Sequence, residues 1–223
     1  MSSLSGRLAS VRQSIQSECL RLGRAEPTLI VVTKNHPIDL VDELYSLGER
    51  DFGENRVQEA VAKFSGRGDW GASLHLIGQL QTNKVRQALE IARVIHSLDR
   101  DSLLVELIKR TAERPEPLEV FIQVNLTTDE DRGGVMPSEL EAFADRVSEV
   151  NSLSLMGLMA VATLEDQPER DFEIVAELGQ RLRNNHPNAK SLSIGMSGDY
   201  LTALGYGATH LRIGTAITGK RQY

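Results

Sequence analysis

The chain has 223 residues, 40% of them hydrophobic and 25% charged, with a formal net charge of −6. That length suits one domain with a sizeable core and argues against two full ones. The acidic balance argues against nucleic acid or an anionic membrane as partner, and the lone cysteine, Cys19, excludes an internal disulfide.

In chain order, the N-terminal segment has no apolar signal core, and a helix is expected over Leu4–Leu22. Short apolar, β-branched runs then recur at Leu29–Thr33, Leu74–Ile77, Val94–Leu98, Val120–Asn125, Leu155–Val161, Leu192–Met196 and His210–Ile213. Arg50–Asn55 is polar and reads as a strand mainly from its place in the series. Helical periodicity fills the gaps, at Ile38–Leu47, Val57–Phe64, Asn83–Ala92, Ser102–Ala112, Ser138–Val150 and Asp171–Arg183. In the first of these, Ile38, Val41, Leu44 and Tyr45 fall on one face with Asp39, Asp42 and Glu43 between them. Thr127–Met136 is the most loop-like stretch. No run reaches the length that spans a bilayer. With the reducing compartment that a lone cysteine fits, the expected location is the cytoplasm.

Strand–helix alternation over about eight units predicts a parallel sheet with helices outside. The first strand ends VTKNHP and lacks the Gly-rich turn of a dinucleotide fold. A single (β/α)8 TIM barrel spanning residues 1–223, with an extra N-terminal helix, is the better fit.

Barrels carry chemistry at the C-terminal ends of their strands. Lys34 ends the first strand. A lysine there points into the barrel mouth with its stem against an apolar wall, where desolvation exposes a nucleophilic amine suited to a Schiff base. Taken alone, it also reads as a lysine that snorkels to water. Asn55 could bond a ligand substituent or cap the following helix. His75 reads first as a satisfied core histidine, and Asn125 has the same two readings as Asn55.

The far end is more telling. Met196-Ser197-Gly198-Asp199 follows the seventh strand, and Arg212-Ile213-Gly214-Thr215-Ala216 ends the eighth. Barrels hold phosphate in these two loops through backbone N–H groups at helix starts. Glycines at 198 and 214 would admit close approach, and Ser197 and Thr215 add hydroxyls. The same dipeptides also make ordinary turns and caps. Arg212 could be a fixed donor to a ligand or half of an interior ion pair.

Together VVTKNHP, DFGENRVQEA, LHLIGQLQTNK, IHSLD, IQVN, GLMAV, LSIGMSGDY and ATHLRIGTAITGKR resemble the YggS/PROSC family of pyridoxal 5′-phosphate (PLP) homeostasis proteins. The resemblance runs from about Leu29 to Arg221. It implies the fold of the N-terminal barrel of alanine racemase, which is that of the fold-type III PLP enzymes, and PLP as cofactor. It implies that Lys34 forms the Schiff base and that Ser197, Gly214 and Thr215 cradle the phosphate, with Gly198 of the same loop counted among the cofactor-binding residues. Arg212 would face the pyridine nitrogen, Asn55 would line the cofactor, and Met196 would pack beside it. The chain departs from the family at Asn35-His36, where a Thr-Lys or similar pair often stands, and at Thr218, where an aromatic is usual.

An arginine at the ring nitrogen leaves it unprotonated and a poorer electron sink. The second domain that completes the racemases is expected to be absent, since the chain stops at Tyr223. The resulting expectation is a monomeric carrier or regulator in PLP homeostasis, with PLP-requiring apo-enzymes as recipients. No catalytic residue, metal, nucleic acid or membrane is assigned to it. A racemase-like PLP enzyme and a cofactor-free Schiff-base aldolase are the alternatives.

Overall fold

The structure, a computed structural model, describes residues 3–127, 129, 132–163 and 168–219. The first helix, α1 (Leu4–Leu22), starts where the Ser3 side chain accepts the Gly6 N–H and stops at Gly23 in the left-handed region. Leu4, Leu8, Val11, Ile15 and Cys19 form its buried stripe. Half-buried Arg7 donates to the carbonyls of Ile217 (2.6 Å) and Thr218 (3.3 Å), tying α1 to the last helix.

Eight strands follow: β1 (Thr28–Val32), β2 (Asp51–Glu54), β3 (Ser73–Leu76), β4 (Val94–Leu98), β5 (Leu118–Gln123), β6 (Leu153–Met159), β7 (Ser191–Ser193) and β8 (His210–Ile213). Each pairs in parallel with the next, and β8 pairs back onto β1, from Thr28 opposite His210 to Val31 opposite Ile213. The sheet is thus the expected closed barrel. Between the strands lie α2 (Ile38–Ser46), α3 (Val57–Phe64), α4 (Val85–Leu89), α5 (Asp101–Thr111), α6 (Leu140–Ser148), α7 (Pro168–Asn185) and α8 (Tyr200–Gly205). The short helix α9 (Thr215–Thr218) follows β8.

Apolar side chains divide into two sets. The large one fills the layer between strands and helices and includes Leu29, Val31, Phe52, Leu74 and Leu76. The small one, Val94, Phe121 and Met159, lies inside the barrel. Inside the barrel they are joined by buried Ile30 and by the polar side chains of His75, His96, Ser193 and Arg212.

Boundaries differ from expectation where ladder ends are not written in hydrophobicity. Strands β5 and β6 each begin two residues early, and Asn125 and Val161 fall in the loops beyond them. The helix expected at Asn83–Ala92 is a 3-10 turn over Thr82–Lys84 followed by α4. Strand β7 stops at Ser193 because Gly195 turns the chain outward at φ 90°, where a Cβ would lie 2.7 Å from Ala203 Cβ. In the expected loop Thr127–Met136, residues 128, 130 and 131 lie outside those described. Asn125 serves this loop: its amide donates to the Asp129 carbonyl (2.8 Å) and accepts the Thr127 N–H (2.9 Å).

Candidate functional site

Lys34 stands two residues past the last residue of β1, above the barrel rim, and is exposed. The chain leaves the ladder at Val32 and turns through Asn35 at φ 62°. What fixes the turn is a buried charge cluster. The Thr33 hydroxyl donates to Glu54 Oε1 (2.7 Å). Lys63 Nζ, from α3, donates to the Thr33 carbonyl, Glu54 Oε1 and Glu59 Oε1, each at 2.8 Å, which uses all three of its protons. The Asn35 N–H donates to Glu59 as well. Burial pushes the Glu54 carboxyl above its usual range against the opposing pull of Lys63 and Thr33. Its Oε2 is buried without a partner.

On the neighbouring strand end, Ser197 Oγ accepts from the N–H groups of Gly214 (3.2 Å) and Ala216 (3.3 Å). The two loops flagged after β7 and β8 therefore meet through one hydroxyl oxygen. Gly214 abuts β1: a Cβ built there would lie 3.5 Å from Val32 Cβ, an ordinary contact. Gly198 faces open space, and Thr215 is exposed. The fold itself requires no glycine at 198 or 214; the glycine it does require in this region is Gly195. Met196 is half-buried, with its N–H donated to Asp199 Oδ1 at 2.5 Å.

Arg212 lies two residues before Gly214 and is buried inside the barrel, opposite Ile30 of β1. Its Nη1 donates to the Ser193 carbonyl (2.5 Å) and Ser193 Oγ (2.7 Å), and its Nη2 to the Ala160 carbonyl (2.8 Å). Among the described residues no carboxylate comes within ion-pairing distance, so the interior ion pair weighed from sequence is not formed. Burial lowers its pKa to about 10, with Asp199 opposing, and leaves it cationic at neutral pH. Asn55 is half-buried and does not cap α3, whose start at Arg56 has no side-chain cap. It lines a cleft with Gln79, Gln81 and Lys84.

The sequence pattern of the family "Alanine racemase, N-terminal domain" matches residues 8–222. The pyridoxal phosphate homeostasis protein of Escherichia coli K12 is 38% identical over 232 residues, covering all of this chain and 99% of that one. The chain belongs to this family. Its fold agrees: PipY of Synechococcus elongatus, solved with and without PLP, superposes with TM-scores of 0.86 and 0.87. It is 34% identical, over 97% of this chain and all of PipY. Alanine racemase from Corynebacterium glutamicum, at 14% identity and a TM-score of 0.70, shares the barrel fold. The match covers 98% of this chain and 62% of the racemase.

Within the family barrel, two groups escaped the sequence reading. Glu54 and Lys63 look like solvated charges until the strand–helix packing buries them. His96 and Ser193 lie in apolar runs and carry no local signal of their own. His75 is the satisfied core histidine expected, bonded to Asp51 and His96.

Proposed function

We propose that this chain binds PLP as a Schiff base on Lys34 and acts in intracellular PLP homeostasis as a carrier or regulator with little catalysis. The observation that carries the reading is Arg212, a buried cation without a carboxylate at the mouth of the barrel, beside the Ser197–Gly214 junction. Three of its five N–H donors are used by Ser193 and Ala160, which leaves donors for a ligand. The residues fit the cofactor: an exposed amine, a fixed guanidinium, and N–H donors grouped around one oxygen.

In this reading the Lys34 amine is the covalent anchor, and Arg212 donates to the pyridine nitrogen. The amides after Ser197 and Gly214, with the Ser197 and Thr215 hydroxyls, hold the phosphate, and Gly198 and Gly214 leave room for it. Asn55 lines the ring's polar edge and Met196 packs beside it. When bound, PLP supplies an electrophilic carbon and an electron-withdrawing ring. Arg212 keeps its own proton at neutral pH, so the ring nitrogen gains none and the sink stays weak.

We further infer a single-domain monomer in the cytoplasm that passes PLP to apo-enzymes. Among the described residues no helix is long and apolar enough to cross a membrane. Titration with PLP should produce a visible absorbance band in the wild type and none in Lys34→Ala. Purified holo-protein should activate a PLP-requiring apo-enzyme. It should not turn over amino acids near the usual range of about 1–1000 per second. Robust racemase or transaminase turnover would overturn the carrier reading.

A further inference from the structure

A second set of polar side chains runs through the barrel without touching the lysine turn or the Ser197–Gly214 junction. It begins at Asp51, the first residue of β2, whose side chain is 32% exposed. His75 Nε2 lies 3.0 Å from Asp51 Oδ1, and His75 Nδ1 lies 2.9 Å from His96 Nε2. His96 Nδ1 lies 2.9 Å from Ser193 Oγ, which lies 2.7 Å from Arg212 Nη1. The line thus links the N-terminal rim of the barrel to an arginine near the opposite end.

Donor chemistry fixes its direction. Arginine only donates, so Ser193 Oγ accepts from Arg212, and its own proton goes to His96 Nδ1. His96 then carries its proton on Nε2 and donates to His75 Nδ1. His75 in turn carries its proton on Nε2 and donates to Asp51, which accepts. The reverse arrangement leaves the His75 Nε2 lone pair facing a carboxylate oxygen and the serine proton without an acceptor. Every bond in the line therefore points away from Arg212 and ends on a carboxylate.

The surroundings hold this state. Phe121 of β5 stacks on the His96 ring at 4.4 Å. The titratable groups around His96 are His75 of β3 and His210 and Arg212 of β8, with Asp51 of β2 behind His75. Burial keeps His96 well below its usual range, with smaller contributions from His75, Arg212 and His210. A neutral His96 is what the line requires.

We propose that His75 and His96 are positioning residues that act through Ser193 to hold the Arg212 guanidinium toward the cofactor ring. The inference rests on the reading that Arg212 faces that ring. Two kinds of measurement test it. In the ligand-free protein, nitrogen-15 NMR should find His96 neutral at pH 7 and protonated on Nε2. A proton on His96 Nδ1, or a charged His96, overturns the proposal without reference to PLP. In the loaded protein, His75→Leu, at a residue that does not touch Arg212, should release PLP about fivefold faster. In His75→Asn the amide oxygen can still accept from His96, and release should return to within about twofold of wild type. Wild-type release from His75→Leu, or equal acceleration in both variants, overturns it while PLP still maps to Lys34. Failure of PLP to attach to Lys34 in wild type would instead remove the cofactor reading, and the NMR result would show whether the line itself exists. Melting temperatures of both variants separate positioning from packing, since a packing role predicts that release follows stability.

Discussion

Ser197 Oγ lies 3.2 Å from the amide nitrogen of Gly214 and 3.3 Å from that of Ala216, so one oxygen already sits where two N–H groups converge. With that oxygen accepting both, the Ser197 hydroxyl proton is left to donate to a phosphate oxygen. Charge-assisted bonds of this kind contribute roughly 1.5–3 kcal/mol each. Ser197→Ala should therefore weaken PLP by about one to two powers of ten and hardly affect pyridoxal, which lacks the phosphate. Titrating both ligands into both proteins checks this. Equal losses would mean that Ser197 supports the fold.

Gly214→Val should fold, because a Cβ at 214 makes only an ordinary 3.5 Å contact with Val32. It should bind PLP more weakly than Ser197→Ala, since the added side chain enters the space left for the phosphate. Thermal melts together with PLP titration test both halves.

The cluster behind Lys34 should govern stability. Lys63→Met removes the cation paired with Glu54, whose side chain is fully buried. Stranding a buried charge costs about 3–5 kcal/mol, whereas Glu54→Gln, which keeps Oε1 as an acceptor, should cost less. Urea denaturation of the two variants gives the comparison. A surface-like loss below about 1 kcal/mol for Lys63→Met would contradict the burial argument.

Stability should also fall in acid through the interior histidines. Burial, helped by His75, lowers His210 from 6.5 to about 4, with Asp51 opposing. Between those values the unfolded chain binds more protons than the folded one. The contribution is thus fully present above pH 6.5 and is lost as pH falls through about 4. Its size is roughly 3 kcal/mol. His96 shifts in the same direction. His210→Phe should lose correspondingly less stability than wild type between pH 7 and pH 4 in urea melts. Parallel losses would argue against a neutral His210 in the folded protein.

The fold was legible because parallel barrel strands are buried on both faces and read as short apolar runs, as Val94–Leu98 and His210–Ile213 do to the residue. Even polar Asp51–Glu54 was found from its place in the series. The Ser197–Gly214 pairing was legible as two loops at expected strand ends. The surroundings of Lys34 were not: nothing local says that the ladder stops at Val32, or that Glu54 and Lys63, nine residues apart, are buried together against Thr33. The line from Asp51 to Arg212 joins five strands, and no local pattern records contacts between residues 19 to 97 positions apart in the chain.

Borohydride reduction of PLP-loaded protein followed by peptide mass mapping shows whether Lys34 carries the cofactor. The visible band should be lost and a phosphopyridoxyl mass should appear on Lys34 alone. An adduct on another lysine, such as Lys84 beside Asn55 or Lys220, or no adduct at all, would contradict it.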